Sequence, residues 1–497
     1  MTTSIERAQR DVQRALDGAM ALAADDDIES FAAFESELWT RLLAAGRTLV
    51  SLFLARAARR PRPVQYTAGN ERHVLAGERT STLGTRFGKV SFTRRIGRKI
   101  GNARAACDLP VDRDLGLASG FSLGVVMDIT RLCAQQPFAS ARKTFAQFCG
   151  WMPSPRATLR MVDAVGARAR AFLDEAPPPD GDGEVLVIQV DGKGAPTISS
   201  RERARRARPR RQRNGTNGRH QRRARRRDVP CVRRTPGKKA KNAKVAALGV
   251  LHTLKRSEEG LDGPLNKRVY ATFTSYRALF TWIKAEAIKR GFGTTKFTRV
   301  LFVADGADVI WNLQQEFFPG VETCLDWYHV AEKLWDAGRA IHRDDAAAVE
   351  AWVTEQKVRL RRGSFHAVTT ALDAALSDTP RTGPGNKYRR TVLAKTLAHF
   401  DKNRTRMRYQ HLRRLDLDIG SGAVEGAVRN VIGVRLDGPG MRWGLDRIER
   451  VLHLRCILIN GLWDAFAEHL AGARNLRLAA KPAPARTHDA KPVKEAA

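Results

Sequence analysis

A chain of 497 residues is too long for one ordinary hydrophobic core, and its 43% apolar content can fill about three units of roughly 150 residues. The formal net charge of +35 far exceeds what solubility requires, so it favours a polyanionic partner, with nucleic acid ahead of an anionic membrane. No uncharged apolar stretch approaches the roughly 20 residues that span a bilayer, and the six scattered cysteines form no C-x-x-C pair. We therefore expect a soluble cytoplasmic protein without a membrane span, a zinc ribbon or a disulfide framework.

Residues 1–63 are predicted to form a helical N-terminal region. Phe31, Phe34 and Leu38 recur at helical spacing, and no strand-like alternation is present. Pro61 breaks the pattern. This region is a candidate for self-association, and we expect a homodimer or a higher oligomer on DNA.

Residues 64–175 are predicted to hold a β-hairpin between Thr82 and Arg95, followed by a helix-turn-helix arrangement. In that arrangement, Ser154 is the N-cap and Pro155 the first residue of the second helix. Such a helix can enter a DNA major groove, and an ordinary pair of packed helices is the alternative. The side chains that would lie near the duplex are Arg156 and Arg160.

The composition of residues 176–183 is that of a linker, and residues 200–244 form a strongly basic tract. The tract carries twenty Lys or Arg against two acids and has almost no apolar residues, so it is predicted to be a disordered insert. We expect it to neutralise DNA phosphates, and a solvated low-complexity insert is the alternative. The candidate contacts are Arg222, Arg223, Arg225, Arg226, Arg227, Lys238 and Lys239.

The order of strand-like and helical segments after the linker suits a mixed sheet flanked by helices. We expect the first part of this core in residues 184–330 and an α-helical insertion in residues 331–415, where no strand pattern occurs. The final helices of the core would lie in residues 416–472, and residues 473–497 have the composition of a loose tail.

Two buried strands are each followed by an aspartate. Asp191 follows the apolar run Val185–Val190, and Asp305 follows Val300–Ala304. Carboxylates brought together in this way can hold divalent ions, which polarise an attacking oxygen and neutralise a leaving one in phosphodiester cleavage. Because a glycine follows each aspartate, a turn is the alternative interpretation of either one alone.

A site of this kind needs a third acid, and Glu425 is the candidate. It lies four residues after Ser421, near the start of a predicted helix, where the helix dipole favours its ionised form. His329, Lys193 and Arg429 are candidates to steer a phosphate or a water, or simply to pack and balance the acids. Other acids compete with Glu425, and they are Asp308, Asp326, Asp416, Asp418 and Glu449.

An ordered set of short motifs resembles bacterial insertion-sequence transposases of the ISKra group, which are similar to Mutator-type DDE transposases. The resemblance runs from about residue 80 to residue 465. The motifs are Gln189–Gly194, Leu261–Tyr270, Ala304–Gly306, Leu325–Trp335, Ser421–Gly426 and Gly440–Trp443. Relatives often carry a paired-cysteine ribbon, whereas here Pro110–Gly116 is preceded only by Cys107.

The resemblance implies an α/β, ribonuclease-H-like mixed sheet flanked by helices, with an α-helical insertion, preceded by a mainly helical N-terminal DNA-binding region. By this resemblance Asp191, Asp305 and Glu425 would be the catalytic residues and the ligands of two Mg²⁺ or Mn²⁺ ions. Asp326 and His329 would match an accessory motif.

The expected function is that of a DNA transposase acting on double-stranded DNA at insertion-sequence ends and at a target. It would hydrolyse a phosphodiester and use the freed 3′ hydroxyl for strand transfer in the bacterial cytoplasm, in association with the nucleoid. A non-catalytic DNA-binding regulator derived from a transposase is the alternative, and a structure-specific nuclease is a third possibility.

Overall fold

The computed structural model describes residues 4–24, 30–102, 104–199, 201–202, 243–474 and 476–478. The DNA contacts predicted in the basic tract lie outside the described residues, as does most of the predicted tail. These contacts are Arg222, Arg223, Arg225, Arg226, Arg227, Lys238 and Lys239.

The chain forms two compact units, of which one comprises residues 1–167 and 467–497 and the other residues 168–466. The division therefore falls inside a helix, whereas the linker composition predicts a boundary near residue 180. This helix, Pro155–Glu175, continues without a break into the second unit, where Phe172 packs against Phe466 with 4.9 Å between the ring centroids.

The first unit, up to the helix that enters the second, combines helices with an antiparallel sheet of order β1-β2-β3. Its elements are α1 Ser4–Ala23, α2 Phe31–Ala58, β1 Gln65–Ala68, β2 Glu71–Thr85, β3 Gly88–Lys99, α3 Pro110–Asp114, α4 Leu123–Gln135, α5 Phe138–Cys149 and α6 Pro155–Glu175. The predicted hairpin is present as β2 and β3, with Leu83 opposite Val90. Strand β1 was not predicted, because four residues are too few to show an alternating pattern.

The predicted turn between α5 and α6 is confirmed in its local chemistry. Gly150 ends α5 in the left-handed conformation with φ of 68°, which glycine adopts without steric cost. The Ser154 hydroxyl oxygen accepts a hydrogen bond of 3.2 Å from the amide of Ala157, so it caps α6.

Within the described part of the chain, α2 is the one helix that is long and apolar enough to cross a membrane by length and composition alone. The helix carries Arg41 and Arg47 along its length. Its neighbour α1 packs along it within the first unit.

The second unit holds a five-stranded mixed sheet of order β6-β5-β4-β7-β8. Its elements are β4 Val185–Pro196, β5 Ala243–Ser257, β6 Gly260–Thr272, α7 Tyr276–Arg290, β7 Arg299–Ala304, α8 Asp308–Phe317, β8 Glu322–Leu325, α9 Trp327–His342, α10 Ala346–Arg361, α11 Phe365–Asp378, α12 Asn386–Asn403, a 3-10 turn Arg404–Arg406, α13 Tyr409–Arg414, α14 Gly422–Val428, a π-helical turn Arg429–Gly433, α15 Val434–Leu436 and α16 Leu445–Ile459. Helix α17, Trp463–Ala473, follows.

The central strand β4 is antiparallel to β5 and parallel to β7, and β7 is parallel to β8. The apolar run that predicts β4 ends at Val190, yet the strand continues to Pro196 because β5 pairs with it along its whole length. Asp191 is therefore inside the strand with respect to β5, where it lies opposite Leu248. With respect to β7, it lies just beyond the last paired residue.

Helices cover both faces of this sheet. On one face α7 approaches so closely that a Cβ on Gly249 would lie 2.6 Å from the Cδ1 of Ile283. On the other face α14 packs on β4 and β5. Helices α9 to α13 follow β8, and the Tyr409 hydroxyl donates a hydrogen bond of 2.8 Å to the Leu325 carbonyl, which fastens α13 to that strand.

Candidate active site

Three acids lie in a row at the carboxyl ends of the three parallel strands. In the register of the sheet, Val190 pairs with Ala304, and Ala304 pairs with Leu325. Neighbouring strands are about 4.8 Å apart, so the residues that follow these partners emerge next to one another. Those residues are Asp191, Asp305 and Asp326.

The row faces helix α14. Gln189 and Asp191 are two positions apart on β4 and therefore point to the same face of the sheet. The Gln189 side chain donates to the Gly420 carbonyl at 3.2 Å and accepts from the Val424 amide at 2.9 Å. These two buried hydrogen bonds fix the start of α14 over the same face of the sheet as Asp191, and Glu425 is the next residue after Val424.

Asp326 is fully buried, and its carboxylate is hydrogen-bonded both to His329 and to Ser421. Its Oδ2 accepts hydrogen bonds from the backbone amide of His329 at 3.1 Å and from the Nδ1 of that ring at 2.5 Å. Its Oδ1 accepts from the Ser421 amide at 2.9 Å. Burial alone would raise the pKa of Asp326, but the hydrogen bonds from His329 and Ser421 outweigh burial and lower it. Asp326 is thus an ionised residue whose two oxygens are both engaged.

His329 is a positively charged residue of the site. The hydrogen bond to Asp326 raises the pKa of His329 to about 9 against the opposing effect of burial, and the charges of Asp191 and Asp305 act in the same direction. The imidazole is therefore protonated at neutral pH. Because Nδ1 is bound to Asp326, Nε2 is the nitrogen that is left to face a ligand.

Glu425 lies near the Asp326–His329 pair. Its Oε1 accepts a hydrogen bond of 2.9 Å from the Ser421 hydroxyl, so Ser421 holds Glu425 and makes no capping bond to α14. Among the described residues, Asp326, His329 and Glu425 form the one group of three whose ligand atoms lie within 4.8 Å of one another and could hold a metal ion. In the set predicted from the sequence, which is Asp191, Asp305 and Glu425, the ligand atoms do not all lie within 4.8 Å of one another.

Asp191 and Asp305 each keep one oxygen for an external group. Oδ1 of Asp191 accepts from the Gly192 amide at 2.6 Å, and Oδ1 of Asp305 accepts from the Ala307 amide at 2.9 Å. The second oxygen of each accepts no hydrogen bond from the residues that the structure describes. Burial, together with the charges of Asp305 and Asp326, raises the pKa of Asp191. A bound cation would offset this repulsion, and hard carboxylate oxygens are the ligands that Mg²⁺ prefers.

The glycines after these two aspartates have a steric role that the turn interpretation misses. A Cβ on Gly192 would lie 2.4 Å from the Tyr276 hydroxyl, and a Cβ on Gly306 would lie 2.1 Å from Cε1 of His399. The turn interpretation does not apply to Asp191, which is inside β4, while the Asp305 bond to Ala307 does have turn geometry.

Tyr276 and His399 are site residues that the sequence analysis did not identify. Burial and then the charges of Asp305 and Asp191 raise the pKa of Tyr276 to about 12. Burial, followed by the nearby positive charges, lowers the pKa of His399 to about 4, so that imidazole is neutral. Both residues come from segments remote in sequence from the acids. The glycine after each aspartate was the feature of the sequence that could have indicated that another side chain packs there.

Lys193 and Arg429 lie close to the site without an ion pair or hydrogen bond in the described structure. Lys193 is two residues beyond Asp191 on the same face of β4, and its Cε is 3.6 Å from the position of a Cβ on Gly433. Arg429 is exposed at the start of the π-helical turn, whose Val431 carbonyl accepts a hydrogen bond of 2.9 Å from Arg455.

The other acids that competed with Glu425 are engaged elsewhere. Asp308 pairs with Lys402, and Asp416 lies 3.7 Å from Arg256. Asp418 accepts from the amide of Gly420 at 3.0 Å. Glu449 accepts from the Thr272 hydroxyl at 2.5 Å and the Phe273 amide at 2.6 Å, which fastens α16 to β6.

The two arginines predicted near DNA lie on the first turns of α6 and differ in accessibility. Arg156 is exposed, whereas Arg160 is half-buried. The Nε of Arg160 is buried and has no hydrogen-bond partner among the described residues. Arg156 is the better placed of the two to meet a ligand in solvent.

Comparison with models of protein families gives no match. Comparison with curated proteins also gives no match. Among solved structures, the chain is similar to the Drosophila P element transposase strand transfer complex, with 10% sequence identity over 72% of this chain and 83% of that chain and a TM-score of 0.26. A TM-score this low does not establish a common fold, so the resemblance to the ISKra group rests on the sequence motifs alone.

Proposed function

We propose that the protein is a DDE transposase that cleaves and joins DNA at the ends of an insertion sequence. The observation that carries this proposal is the position of Asp191 and Asp305, side by side at the ends of two parallel strands and on the sheet face that α14 covers. The strand order β6-β5-β4-β7-β8, with two antiparallel and two parallel pairings, supports a ribonuclease-H-like interpretation of the sheet.

In this proposal Asp191, Asp305 and Glu425 hold two Mg²⁺ or Mn²⁺ ions, which when bound would activate the attacking oxygen and stabilise the leaving one. Glu425 is exposed, and the hydrogen bond that holds it comes from the hydroxyl of Ser421, the residue before α14. In the proposed complex its carboxylate turns from the Asp326–His329 pair toward the two aspartates. The free oxygens of Asp191 and Asp305 supply the hard donors that such ions prefer.

The positive side chains would hold the DNA. The protonated ring of His329 presents Nε2 to a phosphate oxygen, and Asp326 fixes the orientation of that ring through Nδ1. Lys193 and Arg429 would contact neighbouring phosphates, since neither is neutralised by the described chain. The reaction frees a 3′ hydroxyl by hydrolysis, and that hydroxyl then attacks the target DNA.

The overall charge favours double-stranded DNA as the partner. A net charge of +35 provides the counterion release that drives DNA binding, and much of it lies in the tract 200–244. We propose association with the bacterial nucleoid in the cytoplasm, and a homodimer or higher oligomer on DNA.

The test uses the full-length protein with duplexes made from the DNA that flanks its coding sequence on each side. In Mg²⁺, the unsubstituted protein should cut at the element ends and join the freed 3′ ends to a second DNA. Asp191→Asn, Asp305→Asn and Glu425→Gln should each reduce cleavage at least about 100-fold while DNA binding is kept, as expected for removal of a ligand of a catalytic metal.

Other results would point to the alternatives. Hydrolysis without joining would indicate a structure-specific nuclease. DNA binding without cleavage in either Mg²⁺ or Mn²⁺ would indicate a regulator derived from a transposase. Undiminished activity of Glu425→Gln would contradict the assignment of the third acid.

A further inference from the structure

A cavity of about 800 Å³ lies in the first unit, lined by residues of α1, of α2 and the segment after it, and of the hairpin β2–β3. The acids of the candidate active site belong to the second unit. Five arginines line the cavity against one acid, Glu78. The arginines are Arg59, Arg60, Arg62, Arg94 and Arg95. The cavity is thus a positively charged site that the proposed cleavage step does not use.

Two of the five arginines are held by acids of the protein. Arg94 is buried and donates to the two carboxylate oxygens of Asp112, at 2.6 Å and 2.7 Å. Arg62 forms an ion pair with Asp114. A guanidinium that is paired with a carboxylate is fixed in place and has little charge left for a ligand. Arg62 and Arg94 therefore shape the wall of the cavity.

Arg60 and Arg95 are the cations that remain available to a ligand. Both are exposed, and neither side chain forms an ion pair or a hydrogen bond with the residues that the structure describes. Glu78 is the register partner of Arg95 on β2, yet no ion pair joins the two in the described chain. Because like charges in one cavity repel each other, a bound anion would lower its electrostatic energy.

Hydroxyl groups add neutral donors to the same cavity. Thr80 and Thr93 lie opposite one another in the hairpin, and their hydroxyl oxygens are 2.6 Å apart. Two hydroxyls carry two protons and the bond between them uses one, so one proton is left for a ligand. Both threonines and Ser91 line the cavity. Arginine guanidinium groups and hydroxyls are the groups with which proteins hold the phosphates of DNA.

We propose that this cavity binds the phosphodiester backbone of duplex DNA, with Arg60 and Arg95 on the phosphates and the Thr80–Thr93 pair donating to a phosphate oxygen. The identity of the ligand rests on the proposed function, and the net charge of +35 ranks nucleic acid ahead of an anionic membrane as the source of the phosphates. Contacts with phosphates fix the position of a duplex without reading its sequence. The site therefore holds DNA of any sequence.

The experiment measures binding of the full-length protein to a fluorescent duplex over a range of salt concentrations, with a chelator present so that no DNA is cut. Arg60→Gln and Arg95→Gln should each lower the slope of log affinity against log salt by about one and weaken binding about tenfold at roughly 0.1 M salt, since one phosphate contact is lost. The double variant should lose about two units of slope. The losses should be equal for the flanking DNA and for an unrelated duplex.

Arg131→Gln is the matched control. Arg131 is exposed on α4 and does not line the cavity, so this variant removes the same charge from the same unit and should keep the slope. Arg60→Lys and Arg95→Lys retain the charge and should keep most of the slope as well. A photo-crosslinking amino acid in place of Ser91 should capture the duplex, and in place of Arg131 it should not. Unfolding temperatures show that each variant is folded.

The outcomes separate this inference from the proposed function. A lower slope in the glutamine variants alone, recovery in the lysine variants and capture through position 91 support the contact. An unchanged slope, an equal loss in Arg131→Gln or a loss confined to one DNA sequence would overturn it. So would binding of inorganic phosphate or of anionic lipid vesicles that the glutamine variants abolish while DNA binding is unchanged.

Cleavage gives the remaining distinction. A protein that binds duplex DNA through this cavity but neither cuts nor joins it in Mg²⁺ or Mn²⁺ would overturn the transposase proposal and leave the inference intact. An unsubstituted protein that does not bind duplex DNA would overturn both.

Discussion

Asp191 and Asp305 emerge side by side from two parallel strands because the residues before them, Val190 and Ala304, are register partners. Although β4 continues past Asp191 in its pairing with β5, its pairing with β7 ends at Val190. The two carboxylates are thus held close together by backbone hydrogen bonds in the sheet. Their mutual repulsion is a cost that a bound cation would relieve.

Replacing Asp191 with asparagine should stabilise the metal-free protein. Burial and the neighbouring acids raise the pKa of Asp191, which means that its ionised form is disfavoured in the folded state at neutral pH. Loss of that charge should raise the unfolding temperature by about 1 to 2 °C, the shift that corresponds to roughly 1 kcal/mol in a unit of about 300 residues.

Divalent ions should make the unsubstituted protein more stable than Asp191→Asn, which is the reverse of the order expected without metal. Mg²⁺ or Mn²⁺ should raise the unfolding temperature of the unsubstituted protein and have a smaller effect on Asp191→Asn, since ligand binding stabilises the state that binds it. Differential scanning calorimetry with and without the ion checks both results. Equal stabilisation of the two proteins would show that Asp191 is not a ligand.

The Asp326–His329 pair should make stability depend on pH above neutrality. The folded-state pKa of His329, about 9, exceeds its ordinary value of 6.5. Its contribution is therefore complete below about pH 6.5 and is lost as the pH rises toward 9. The ring is 37% exposed, so the full shift overstates the effect, and we expect a loss of about 1 kcal/mol. The lowered pKa of Asp326 makes its own contribution fall in acid.

Urea unfolding at pH 6.5 and pH 9 in the presence of a chelator measures this loss. His329→Gln should remove it, while the exposed control His366→Gln should keep it. An unchanged difference in unfolding free energy between the two pH values in His329→Gln would show that the pair does not titrate in this range.

Gln189 should be required for activity although it contacts no substrate. Its side chain makes the two buried hydrogen bonds that fix α14, to Gly420 and Val424. Gln189→Ala leaves that carbonyl and that amide unpaired, at a cost of about 1 to 3 kcal/mol for each buried group. We expect lower stability and, in molecules that remain folded, slower cleavage because Glu425 is no longer held over the sheet.

A comparison variant separates the effect of lost stability from the effect of losing the position of Glu425. Gln314→Ala removes another buried hydrogen bond, from its Nε2 to the Phe318 carbonyl at 2.7 Å, and should lower stability without a comparable loss of the cleavage rate at a temperature where both variants are folded. If the two variants lose the same activity for the same loss of unfolding free energy, Gln189 has no positioning role.

The apolar side chains exposed on α2 should support self-association. Trp39, Leu42, Leu49 and Phe53 remain between 46% and 52% exposed and recur at helical spacing. Leu42→Glu with Leu49→Glu should shift the protein toward a smaller oligomer in sedimentation equilibrium at low salt and high salt. An unchanged mass would contradict a role for α2 in oligomerisation, and binding of the unsubstituted protein to lipid vesicles would indicate a membrane contact instead.

Local patterns were sufficient to predict many elements. The Gly150 turn and the Ser154 cap of α6 follow from residue types at adjacent positions, and so does the strand β7 that ends before Asp305. Periodicity also predicted the helices that follow β8. These features depend on interactions within a few residues, which sequence spacing records directly.

Local sequence patterns predicted only part of the candidate active site. The sequence identified Asp191, Asp305 and Glu425 as acids of interest, and their catalytic and metal-binding roles stay predictions. Spacing could not show that Glu425 bonds to Ser421 and lies within ligand distance of Asp326 and His329. Those contacts depend on side-chain orientation across segments separated by about a hundred residues.

The charge, the buried strands and the aspartates that follow them can be predicted from the amino-acid sequence alone. The continuation of β4 past Asp191, and the position of Tyr276 and His399 above Gly192 and Gly306, follow from the folded structure. Propensity and hydrophobic pattern are local properties of the chain. Strand register and close packing arise from contacts between distant segments, which an Asp-Gly pair cannot specify.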